Sequence, residues 1–117
     1  MHVLIDGTVE RQLSVCELIE TIGDLVELIG MTPIDEPKID WDDGGLSAYQ
    51  LIKESHIAMH YIGKEIRSDV FSCKDFDPAA VYHFIKERFI VTEVTRYEII
   101  LRDFDGHIPI ETKDNID

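Results

Sequence analysis

The chain has 117 residues and a mass of 13.5 kDa, room for one domain and one hydrophobic core but not two. Hydrophobic residues make up 44% and charged residues 30%, the balance of an ordinary globular protein. Its 24 acidic and 11 basic residues leave a formal charge of −13, which repels phosphate backbones, argues against a nucleic-acid partner and favours cationic ligands or plain solubility.

Met1 to Ile5 is a short apolar opening that reads as an edge strand, without the basic and apolar regions of a signal peptide. No later stretch approaches the roughly 20 apolar residues of a membrane helix, so a cytoplasmic protein with no membrane partner is expected. Ser14 to Glu17 has capping-box spacing. Val15, Leu18, Ile19, Ile22, Leu25, Val26 and Ile29 then recur at three- and four-residue steps, which predicts a helix over 15–29. Gly30 stands where a left-handed cap belongs. Cys16 is expected to be buried on that helix. With Cys73 it makes neither a disulfide scaffold nor a zinc signature, and no metal is expected.

Pro33, Pro37 and several acids predict a loop over most of 32–43, with a brief strand around Ile39 and Trp41. Asp42-Asp43-Gly44-Gly45 is a turn signal, and 46–53 reads as the next strand. From His56 to Ile62 the pattern alternates, with Ile57, Met59 and Tyr61 on one face and His56, Ala58 and His60 on the other. Gly63-Lys64 suits a hairpin turn into a strand over 68–73. Asp77-Pro78 is an N-cap followed by proline at the first helical position, and Val81, Phe84, Ile85 and Phe89 mark a second helix. A last strand spans about 91–102, closing a single domain over 1–102, and 103–117 reads as a polar C-terminal tail. The expected fold class is α+β, an antiparallel sheet with two helices packed on one face. The other face is expected to be apolar and covered by dimerisation.

The segment Glu54-Ser55-His56-Ile57-Ala58-Met59-His60 resembles the processing site of prokaryotic S-adenosylmethionine decarboxylases, where a Glu-Ser bond precedes a His-x-x-x-His stretch. Ser47, eight residues before Ser55 and after a glycine-rich turn, matches the family's pattern. So do Phe71-Ser72-Cys73 with Asp77-Pro78, and an aromatic at Trp41. The similarity spans roughly 3–100 and is densest over 44–78. Such agreement at several fixed offsets is far more specific than one Glu-Ser-His.

The resemblance implies a dimeric, pyruvoyl-dependent carboxy-lyase of α/β-sandwich fold acting on S-adenosylmethionine for spermidine synthesis. It implies that Ser55 attacks the Glu54 carbonyl to form an ester, a reaction that needs helpers because a serine hydroxyl is a weak nucleophile. In that scheme Ser47 supports the intermediate and His60 removes the serine α-proton. Elimination then frees a fragment whose first residue, once Ser55, is the pyruvoyl cofactor, an electron sink for loss of CO2. Cys73 returns a proton to the product, and Trp41 stacks on the adenine or sulfonium. Strand alternation alone puts Ser55 and His60 on opposite faces, so their meeting requires a bend at residue 55.

The sequence departs from the family after His60. The usual Thr-aromatic-Pro-Glu turn, whose glutamate holds the ribose hydroxyls, is replaced by Tyr61-Ile62-Gly63-Lys64-Glu65. Lys64 falls at the glutamate's place, unfavourable beside a sulfonium, and Glu65 substitutes only if the turn is rebuilt. Two alternatives therefore stand beside the first: a pyruvoyl-dependent arginine or ornithine decarboxylase, and an unprocessed, non-catalytic paralogue.

Overall fold

A computed structural model describes residues 1–42, 45–53, 55–101 and 110–112. Glu54, the Asp43-Gly44 pair of the expected turn, and 102–109 and 113–117 of the expected tail lie outside the described residues. The chain runs β1 (His2–Val9), α1 (Val15–Leu28), β2 (Pro33–Asp42), β3 (Gly45–Ile52), β4 (Ser55–Ile62), β5 (Glu65–Ser72), α2 (Pro78–Arg88), β6 (Val91–Ile100) and β7 (Ile110–Thr112). The described strands form one sheet in the order β2-β3-β4-β5-β1-β6-β7, and every neighbouring pair is antiparallel.

Both expected helices form for the reasons the sequence offers. The Ser14 hydroxyl accepts the Glu17 amide at 3.1 Å, and the Glu17 carboxylate accepts the Ser14 amide at 2.9 Å, a reciprocal capping box. Gly30 follows α1 with φ +70°. At α2 the Asp77 carboxylate caps Ala79 and Ala80, and Pro78 opens the helix. Leu18, Ile22, Leu25 and Val26 from α1, with Val81, Tyr82 and Ile85 from α2, are buried against Val3, Ile5, Ile57, Met59, Tyr61, Ile66 and Val70 of the sheet. Both helices thus share one core on one face, the expected α+β architecture.

The structure departs from several expectations. β1 is not an edge strand: it pairs with β5 on one side and β6 on the other, because the sixth strand returns to its free flank. Residues 33–42 are strand rather than loop. Pro33 and Pro37 are tolerated because β2 is the edge, where an absent N–H costs no ladder bond, and the register shifts between Ile34 and Lys38. Cys16 is exposed, since it follows Val15 off the buried stripe of α1. The face away from the helices is not uniformly apolar. It is mixed, presenting His2, Asp6, Thr8, His56, His60, Glu65, Arg67 and Asp69 together with Leu4, Tyr49, Leu51, Ala58, Ile62 and Phe71. Part of the segment read as tail, Ile110–Thr112, adds a strand beside β6.

Candidate functional site

Adjacent antiparallel strands place residues directly opposite each other on a common face. Ser47 on β3 is in register with His60 on β4, and its Oγ lies 2.7 Å from His60 Nδ1. The Tyr49 ring meets the imidazole edge-on at a centroid distance of 5.6 Å. Asp40, Gly45, Ser47, Tyr49, His60, Tyr61 and Ile62 line a shallow pocket of about 280 Å³ around this pair. Gly45 is obligatory there. Its φ is +139°, and a Cβ would stand 1.8 Å from the Tyr61 carbonyl oxygen. The close approach of β3 to β4 that aligns Ser47 with His60 thus depends on a missing side chain.

Ser55 is elsewhere. As the first residue of β4 it pairs with Ile52 and Ser72, and its Oγ accepts the Cys73 amide at 3.2 Å. Cys73 immediately follows the last residue of β5 and is exposed. His60 lies five residue steps along the strand from Ser55, roughly 16 Å at the usual rise. By strand alternation Ser55 falls on the side of Ile57, Met59 and Tyr61, and His60 on the other. The structure therefore brings the expected site residues together as two pairs, Ser47 with His60 and Ser55 with Cys73. It does not join the pairs within one chain.

Glu65 opens β5 opposite Ile62, on the face of His60, and its Oε1 takes the Arg67 Nε at 2.8 Å. The turn before it is anchored, since the Lys64 carbonyl accepts the Val9 amide at 2.8 Å. Trp41 is 63% exposed on edge strand β2. It is in register with Leu46, whose side chain is in the core, so it stands across the sheet from Asp40 and Ser47. Sequence reasoning passed over Tyr49 and Asp40, although alternation along β3 would have put Tyr49 on the side of Ser47. On the same open face, burial raises the carboxyl pKa of Asp6, with Arg96 and Arg67 opposing.

No helix among the described residues is long and apolar enough to cross a membrane. No curated protein matches the chain. The family model for S-adenosylmethionine decarboxylase matches residues 2–102. That family consists of decarboxylases and is in general pyruvoyl-dependent. The capped α1, the antiparallel sheet with two helices on one face, and a match over most of its length agree, and the chain belongs to the S-adenosylmethionine decarboxylase family.

Proposed function

We propose that this chain is a self-processing proenzyme, cleaved between Glu54 and Ser55, whose mature form decarboxylates S-adenosylmethionine in the cytoplasm and so supplies aminopropyl groups for spermidine synthesis. The observation that carries this reading is the contact between the Ser55 hydroxyl and the Cys73 backbone, within a family match spanning both residues. It supports the reading because the hydroxyl expected to cleave the chain is held by the backbone of the residue whose thiol is expected to protonate the product. A hydroxyl that accepts an amide bond keeps its own proton free for removal.

The residues at this position fit a pyruvoyl group: Ser55 heads a strand, so a chain start there disturbs no residue before it on β4. When formed, that group supplies a carbonyl that takes the substrate amine and withdraws the electrons left by CO2. Cys73 then delivers a proton as a general acid. His60, oriented through Nδ1 by Ser47, has Nε2 available to remove the Ser55 α-proton during processing. At about 16 Å, and across the sheet, it cannot reach the Ser55 of its own chain. In the proposed homodimer each copy lends its Ser47–His60 pair to the other's Ser55–Cys73 pair.

One observation favours a second reading, decarboxylation of arginine or ornithine. Glu65, the carboxylate nearest the family's ribose-binding position, is already paired with Arg67. Denaturing mass spectrometry of the purified protein tests the proposal. Fragments meeting between residues 54 and 55, the second blocked by pyruvoyl, are expected. A chain intact after long incubation sinks both decarboxylase readings and leaves the non-catalytic paralogue.

A further inference from the structure

The open face of the sheet carries a second cluster that the chemistry above does not use. His2 on β1 and His56 on β4 flank β5 in one cross-strand row, each opposite Phe71. Asp69 lies two residues along β5 from Phe71, on the same face, between Leu4 and Ala58. The Nε2 atoms of both imidazoles converge on this carboxylate: His2 Nε2 bonds Asp69 Oδ1, and His56 Nε2 lies 3.6 Å from Asp69 Oδ2. One donor atom from each residue falls within 4.8 Å of the other two. The two rings pack against Phe71 at centroid distances of 5.6 and 5.5 Å, so an apolar wall holds their orientation.

We infer that His2, His56 and Asp69 form a binding site for a divalent transition metal of the zinc class. Two imidazoles and one carboxylate are the donor set of borderline metals and a poor one for magnesium or calcium. Metal–ligand bonds of about 2.0–2.2 Å put tetrahedral donors some 3.3 Å apart, so closing the cluster takes movements of about 1 Å at side-chain tips. All three side chains are partly exposed, at 23%, 43% and 32% for His2, His56 and Asp69, and a cation can enter. Three protein ligands leave a fourth position for water. The acidic balance of the chain, −13, favours cation capture, and the site spans three strands, tying β1 to the head of β4.

The test is a titration of the untagged full-length protein with Co2+, followed by displacement with Zn2+. One Co2+ per chain is expected, with visible ligand-field absorption of a nitrogen–oxygen site that Zn2+ abolishes. His56→Gln and Asp69→Asn should each weaken binding by tenfold or more, whereas His83→Gln on α2 should leave it unchanged. Circular dichroism checks that each variant folds, and His2→Gln, close to the chain start, carries the test if Asp69→Asn does not. Absence of one-to-one binding, or binding indifferent to His2→Gln and His56→Gln, would overturn the site. Neither result depends on whether the chain cleaves itself.

Discussion

Ser47 and His60 face each other across β3 and β4, with 2.7 Å between Oγ and Nδ1. That contact fixes which imidazole nitrogen is left for chemistry, and it stands five strand residues from Ser55. If the centre is shared between two copies, a chain with His60→Ala and a chain with Ser55→Ala should each stay intact when made alone. In a mixture, the His60→Ala chain should be cut, because it keeps Ser55 and borrows His60 from its partner. The Ser55→Ala chain should remain whole. Mass spectrometry distinguishes the two chains. An uncut His60→Ala chain in the mixture would place His60 outside the shared centre.

Cys73 offers a separate test, because its expected task comes after cleavage. Its backbone amide, not its thiol, holds the Ser55 hydroxyl, and Cys73→Ala retains that amide. The variant should therefore still process, and its CO2 release should fall by about 10²–10⁴-fold, the usual loss for a missing general acid. Equal loss of processing and decarboxylation would mean that the thiol acts earlier than proposed.

Gly45 links the packing of the sheet to the site. An added Cβ meets the Tyr61 carbonyl oxygen at 1.8 Å, and that oxygen belongs to backbone that cannot swing aside. Gly45→Ala should cost about 1–3 kcal/mol in denaturant unfolding and slow processing, since it parts the strands beside the Ser47–His60 pair. Gly63 has φ +57°, but a Cβ added there would meet nothing within 4 Å. Gly63→Ala should carry only the backbone penalty, about 1 kcal/mol, with processing unchanged.

Much of this is legible in the chain itself. Capping residues and apolar spacing announce α1 and α2, because helices are specified by near neighbours. Alternation over His56–Ile62 gives the two faces of β4 and the separation of Ser55 from His60. What local pattern cannot give is the partner of a strand. The apolar start of the chain looks like an edge, and only long-range pairing with β5 and β6 makes it central. The prolines of β2 suggest a loop because their tolerance depends on an edge position that sequence does not announce. The same limitation hides the meeting of His2, His56 and Asp69, which come from three separate strands.

The capping box at the start of α1 makes a prediction with a pH signature. Ser14→Ala should cost about 1 kcal/mol at neutral pH, as loss of a serine cap generally does. Glu17 is different, because the Ser14 amide bonds its carboxylate and lowers its pKa, with the Ser14 side chain and then Arg11 helping. A carboxyl whose folded pKa is depressed stabilises the fold above its ordinary value. That stabilisation is lost as pH falls through the depressed one. Glu17→Gln should therefore be less stable than the parent at pH 7, and the gap should close in acid. Urea unfolding at several pH values measures this, and a gap that persists in acid would exclude the ionised carboxylate as its source.

Substrate choice turns on Glu65. It shares the open face with His60, yet its carboxylate is taken by Arg67 at 2.8 Å, and Lys64 stands beside it. If the substrate is S-adenosylmethionine, Glu65 must exchange Arg67 for the ribose hydroxyls on binding. Removing the competitor should then help: Arg67→Ala should lower KM for S-adenosylmethionine, while Glu65→Gln should reduce kcat/KM by roughly 10–100-fold, the worth of a hydrogen bond to a charged group. The pair is exposed on both sides and little stability is at stake. With arginine or ornithine as substrate there is no ribose to hold, and both variants should leave KM near the parent value. CO2 release from each of the three substrates, measured for the parent and both variants, separates a nucleoside pocket rebuilt around Glu65 from one that has been lost.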